Sequence, residues 1–229
     1  MTNKHKQAFF KLQQRLQYKF DNEKLLVEAM SHSSNERRVN NELLEFLGDG
    51  VLNLVIAEYI MDVFPKAGEG QLSRIRAQLV CKSALAKVGQ LLMVSDAIIL
   101  GPSEARGGSQ QRASIIADGV EAIIGAVFKD SDFNTAKACI LRWFEPLLEG
   151  VSLQLAVKDP KTQLQEFCQQ YKYGLPCYQL LEETQANNEP FFEIYVNIKA
   201  LEVDAKGEGS SRKKAEQAAA SALLSQLNR

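Results

Sequence analysis

The chain is short of the residues that most often announce a site. It has two histidines, His5 and His32, and four cysteines, Cys81, Cys139, Cys168 and Cys177, none in a C-x-x-C pair. That scatter excludes a disulfide framework and a zinc site, and it predicts reduced, mostly buried thiols. No apolar run approaches the ~18 residues of a membrane span. The opening "MTNKHKQAFFKLQQRLQYKF" is charged throughout, where a signal peptide would carry an apolar segment. Both absences lead to the expectation of a cytoplasmic protein. Positive charge is not in excess either: 27 Lys and Arg face 28 Asp and Glu. That balance excludes a uniformly basic domain but not a local basic patch.

What is present fills two halves with different periods. The 229 residues, 45% of them hydrophobic, suffice for one large domain or two ordinary ones. From residue 5 to about 150 the spacing is helical, with helices expected near 5–17, 22–31, 41–63, 71–92, 112–128 and 132–148. Gly- and Pro-rich breaks fall at "FPKAGEG" and "LGPSEARGGSQ". This half reads as all-α, with no strand-like alternation of any length. At Asp159–Pro160 the character changes: Asp suits an N-cap and Pro the first helical position. A helix over about 160–172 leads into strands at "CYQLLEET" and "PFFEIYVNI", where Phe192, Ile194, Val196 and Ile198 alternate with polar neighbours. A third strand (about 201–207) and an Ala-rich helix complete an α-β-β-β-α unit of a size that folds alone. The expected division is a domain over 1–150, a linker over 151–158 and a domain over 159–229.

Three carboxylates interrupt the best helix. In "NNELLEFLGDGVLNLVIAEYI" the residues Glu42, Glu45 and Asp49 sit at i, i+3 and i+7, one stripe among apolar residues bound for a core. "SIIADGVEAIIGAVF" repeats the pattern with Asp118 and Glu121. A buried, unpaired carboxylate costs several kcal/mol, and neither helix offers a Lys or Arg one turn away on that stripe. If the helices pack together, up to five acidic groups converge and repel unless a cation sits between them. Carboxylates without His or Cys favour a hard ion, Mg²⁺ or Mn²⁺, and ions so held typically serve phosphoryl chemistry. For Glu42 alone, a solvated helix-surface carboxylate is the simpler reading.

The basic cluster hidden by the net charge lies in "KGEGSSRKKAEQAAA". Arg212, Lys213 and Lys214 occupy the first turn of the last helix, after Ser210 or Ser211 as N-cap. Three cations there oppose the helix dipole at about 0.3–1 kcal/mol each, a penalty that a docked phosphate would reverse. Between residues 158 and 229 there are 9 Lys and Arg against 10 Asp and Glu, so any nucleic-acid site is a patch. Recognition of an RNA duplex by shape fits such a patch better than base reading.

"NELLEFLGD", "GEGQLSRIRAQLV" and "SIIADGVEAIIGAVFKD" together closely resemble the signature of the bacterial ribonuclease III family. "DPKTQLQEFCQ" through "GEGSSRKKAEQAAA" resembles a double-stranded-RNA-binding domain, in the place that family puts it. The resemblance implies an all-α endonuclease domain followed by a small α+β RNA-binding domain. It implies a homodimer, not attached to a membrane, that cuts double-stranded RNA with Mg²⁺ (or Mn²⁺ in its place). The products would carry 5′-phosphates and short 3′ overhangs, and the targets would include ribosomal RNA precursors and other structured transcripts.

By the family's pattern Glu45, Asp118 and Glu121 ligate the metal and Asp49 belongs to the same set, holding the attacking water. Asp49 and Glu121 are then the catalytic residues. Glu42 and Glu69 match further acidic positions of a catalytic valley, and Phe46 matches an apolar residue of the dimer interface. Thr162, Gln165 and Glu166 match minor-groove contacts of the first tail helix, and Arg212, Lys213 and Lys214 match the cluster over major-groove phosphates. The chain departs from the pattern at Leu43, where the family usually has Arg, and at Gly50 after Asp49. Its loop "QANNEP" lacks the family's Gly-Pro-His, leaving Asn187 or Asn188 for the second minor-groove contact. A non-cutting duplex-RNA binder and a carboxylate-bridged metal oxidoreductase are the rival readings; retention of a costly acidic set opposes the first, and missing histidines oppose the second.

Overall fold

The computed structural model describes residues 3–35, 39–106, 109–153, 159–186 and 189–227. The chain divides into two compact units, Met1–Ala156 and Val157–Arg229. The first holds helices α1 (Asn3–Leu16), α2 (Glu23–Ala29), α3 (Glu42–Val63), α4 (Glu69–Leu79), α5 (Lys82–Leu91), α6 (Pro102–Arg106), α7 (Ala113–Asp130) and α8 (Phe133–Leu148). Its centre is α7, whose Ile, Ala, Gly and Val side chains are buried on nearly every side, against α2, α3, α5 and α8. Such a helix, apolar all round, is what an interior position requires. By contrast α3 buries one face, Leu44, Val51, Leu52, Val55, Ile56 and Ile60, and leaves Leu43, Phe46, Leu54 and Met61 exposed on the other.

The expected helix over 71–92 is two helices. At Val80–Cys81 the backbone opens: Cys81 is extended (φ −71°, ψ 156°) and serves as N-cap of α5. The break redirects the chain, so that α4 packs on α3 while α5 packs on α7. No Gly or Pro marks it, which is why the apolar spacing ran through it unbroken. The second break, near 100–110, contains the short α6 and a 3₁₀ turn at Ser109–Gln111. One isolated parallel bridge, Ser31 to Ile99, is the extended pairing found in this unit among the described residues.

In the second unit α9 (Pro160–Gln170) is capped as its sequence requires: Asp159 Oδ1 accepts from the backbone N–H of Lys161 at 2.9 Å and of Thr162 at 3.3 Å. Strands β1 (Cys177–Ala186), β2 (Glu189–Ile198) and β3 (Val203–Gly209) form an antiparallel sheet in the order β1-β2-β3, with a register irregularity between Leu180 and Glu182. Ile194, Val196 and Ile198 are buried with Leu164 and Cys168 of α9 and with Ala215, Ala219 and Leu223 of α10 (Arg212–Leu227). Alanines let α10 lie so close that a Cβ at Gly207 of β3 would meet the Ala219 nitrogen at 2.0 Å. All four thiols are free; Cys139 and Cys168 are buried as expected, while Cys81 is half-buried and Cys177 exposed.

Candidate metal centre and RNA-binding surface

The two carboxylate stripes meet because two glycines let their helices touch. A Cβ built on Gly48 of α3 would lie 1.8 Å from the Glu121 carbonyl oxygen, and one on Gly125 of α7 would lie 2.1 Å from that of Leu44. No residue larger than Gly fits either position, so backbone packs on backbone at the crossing. Glu45 and Glu121 stand one turn from these glycines, and Asp118 one turn further along α7. Glu45, Asp118 and Glu121 each bring an oxygen within 4.8 Å of the other two.

Glu42, Glu45, Phe46, Asp49, Asp118 and Glu121 line one depression of about 590 Å³, with His32, Ser33 and Asn41. Glu121 is the most buried of its acids, 9% exposed. Burial first, then the charges of Asp49, Glu45 and Asp118, pushes the Glu121 carboxyl up to about 7. Glu45 is raised in the same direction, by burial and then by Asp118. Asp49 lines the depression but stands outside the group of three, and Asn53 Nδ2 donates to its Oδ1 at 2.8 Å. At the rim, Asn40 Nδ2 donates to Glu42 Oε2 at 2.9 Å and holds that exposed acid. Within one chain Glu69 lies elsewhere: its Oε1 accepts from Ser73 Oγ at 2.9 Å, in a groove with Ala57, Ile60, Met61, Leu72 and Arg76.

The stripe does have a cation, delivered by a third helix. Lys82, the first residue of α5, donates from Nζ to Asp118 Oδ1 at 3.2 Å. Reading the two acidic helices alone missed it, because it lies 36 residues from its partner in the chain. His32 was also missed; its Nδ1 is engaged with Ser34 Oγ at 2.9 Å, and nothing in its sequence surroundings points toward α3 and α7.

Three hard oxygens of one half-buried set suit a divalent ion. Spacings up to 4.8 Å are compatible with oxygens surrounding one ion at ~2.1 Å each, after small side-chain adjustment. In the second unit, Thr162, Gln165 and Glu166 are exposed on the face of α9 opposite the buried Leu164 and Cys168. At the start of α10, Arg212, Lys213 and Lys214 are exposed. Ser211 Oγ accepts from the Lys214 backbone N–H at 3.3 Å, identifying Ser211 as the capping side chain, and Arg212 Nε lies 3.7 Å from Glu216 Oε1. Asn187 and Asn188 lie outside the described residues.

The profile described as Ribonuclease-III-like matches residues 22–147, and that of the double-stranded RNA binding motif matches residues 160–227. The chain belongs to the ribonuclease III family. It is an endoribonuclease of that family and carries its double-stranded-RNA-binding module. Ribonuclease 3 of Idiomarina loihiensis is 46% identical over 92% of this chain and 91% of its own length. That of Psychromonas ingrahamii is 46% identical over 97% of each. The solved nuclease domain of ribonuclease III from Campylobacter jejuni is 41% identical and superposes with a TM-score of 0.59, covering 62% of this chain and 97% of the domain.

Proposed function

We propose that this ribonuclease III family member hydrolyses double-stranded RNA with a divalent ion, Mg²⁺ by preference and Mn²⁺ in its place, leaving 5′-phosphates and short 3′ overhangs. The observation that carries the reading is the convergence of Glu45, Asp118 and Glu121 from two helices that touch at Gly48 and Gly125. These three are the proposed ligands. When bound, the ion supplies an activated water and charge for the departing oxygen. Water attacks phosphorus, the bond to the 3′ oxygen breaks, and that oxygen leaves with a proton. Asp49, beside the ligands but outside them, orients the water; its bond from Asn53 fixes its carboxylate for that role. Glu42 shapes the outer rim.

Phe46 is 81% exposed and Leu43 78%, and Leu54 and Met61 continue the same stripe along α3. So much exposed apolar surface on one helix supports an isologous dimer across it. Leu43, in the place of the family's usual Arg, adds to that apolar face. Two chains would offer two carboxylate sets, one for each strand of a duplex, and only a partner chain could bring Glu69 to a valley shared with them. The domain division over 1–150 and 159–229 is proposed from the change of period at Asp159–Pro160. No helix among the described residues is long and apolar enough to cross a membrane; action in the cytoplasm, on ribosomal RNA precursors and other structured transcripts, is proposed from family membership.

The test is a long RNA duplex incubated with the full chain. Cleavage of both strands in Mg²⁺, none in EDTA, and 5′-phosphorylated ends are expected; cuts without divalent ion would overturn the metal reading. Thr162, Gln165 and Glu166 of α9 and Arg212, Lys213 and Lys214 of α10 are the proposed RNA contacts. Lys213→Ala and Lys214→Ala should each weaken binding equally across duplex sequences and lower the salt slope of log K by about 1. A salt titration of duplex binding reads this directly.

A further inference from the structure

We infer that Lys82 is the resident counter-ion of the carboxylate set, a positioning residue that a divalent ion must displace from Asp118. The inference rests on the metal-site reading above and adds to it a residue of a third helix. Lys82 Nζ donates to Asp118 Oδ1 at 3.2 Å, and Asp118 is one of the three residues whose oxygens converge. An ion ligated by Asp118 and a lysine held on the same carboxylate compete for the same negative charge. The lysine is well placed to yield: its side chain is 69% exposed, while that of Asp118 is 18% exposed.

Two further features support the assignment. Lys82 is the first residue of α5, where a cation opposes the helix dipole, so its position gains nothing from its own helix. Its partner is instead across the helix boundary, and the approach is fixed, because a Cβ on Gly89, seven residues along α5, would meet Ile116 Cγ2 of α7 at 2.3 Å. The lysine also stands against the whole set, because the Asp118 carboxylate it holds converges with those of Glu45 and Glu121 within 4.8 Å. In the metal-free chain Lys82 thus offsets part of the repulsion among the carboxylates, and it leaves that role when a doubly charged ion arrives.

The experiment measures Mn²⁺ and Mg²⁺ dissociation constants by calorimetry, and melting temperatures with and without the ion, for the full chain and for Lys82→Gln and Lys82→Arg. Lys82→Gln should bind either ion about fivefold more tightly, the scale of one screened surface charge pair. It should also melt lower without metal, so that the metal-induced rise grows. Lys82→Arg should behave as the wild type. A lysine with a merely structural role would lower both melting temperatures alike and leave the dissociation constants unchanged, and that result overturns the inference. Weaker binding by Lys82→Gln also overturns it. A wild type that binds no divalent ion overturns the metal-site reading along with it, an outcome distinct from either.

Discussion

Glu121→Gln is expected to lose cleavage of duplex RNA by on the order of 10³-fold or more, because a missing ligand removes several kcal/mol of transition-state stabilisation. RNA binding without divalent ion should be retained, since the basic cluster and α9 lie in the other unit. The same substitution should make the metal-free protein more stable. Glu121 is pushed up to about 7 from its ordinary 4.5, chiefly by burial. Between those two values the unfolded chain gives up its proton while the folded chain keeps it, so stability falls as pH rises. The loss reaches about 3 kcal/mol above pH 7, at 1.36 kcal/mol per pKa unit. In EDTA the wild type should therefore melt higher at pH 5 than at pH 8. Glu121→Gln should flatten that dependence, and Mg²⁺ should restore the wild type at pH 8. A mutant that cuts normally, or a wild type whose metal-free melting rises from pH 5 to pH 8, would exclude Glu121 as the buried ligand.

This opposition between function and stability was partly visible in the amino-acid order. Carboxylates at i, i+3 and i+7 in an apolar helix have no reason in packing, and their period alone placed Glu45 with Glu42 and Asp49, and Asp118 with Glu121. What the period cannot supply is the height at which one helix crosses another. Asp49 shares the stripe with Glu45, yet it stands outside the group of three, which is fixed by where α7 crosses α3. Lys82 was illegible for the same reason, being carried to the site by a helix whose start, at Cys81, is marked by no Gly or Pro. Glu69 was grouped with the others by family pattern and lies in a separate groove of the same chain. In the second unit nearly everything could be read, because Asp159–Pro160, the alternation of Ile194, Val196 and Ile198, and the alanines of α10 are local signals that define each element without reference to its partner.

The crossing itself gives the other large effect. Gly48→Ala should cost about 3 kcal/mol or more, at the upper end of what an added methyl does in a packed interior. The new Cβ would lie 1.8 Å from the Glu121 carbonyl oxygen, 2.7 Å from its carbon and 2.9 Å from the Gly125 nitrogen. These are backbone atoms of a helix buried on nearly every side, so no side chain can rotate to make room. The helices must part by more than an ångström, and Glu45, one turn from Gly48, moves away from Glu121. A displacement of that size costs about 10²-fold in rate when reacting groups must be held in place. Gly50→Ala is the matched control. It sits two residues along the same helix, has nothing within 4 Å of an added Cβ inside its own chain, and in chains diluted to the monomer should stabilise by about 0.5–1 kcal/mol through helix propensity. Both variants gain that propensity, so the difference between their melting temperatures isolates the crossing. Equal melting temperatures would mean that α3 and α7 do not touch at Gly48, and the convergence of the carboxylates would lose its structural cause.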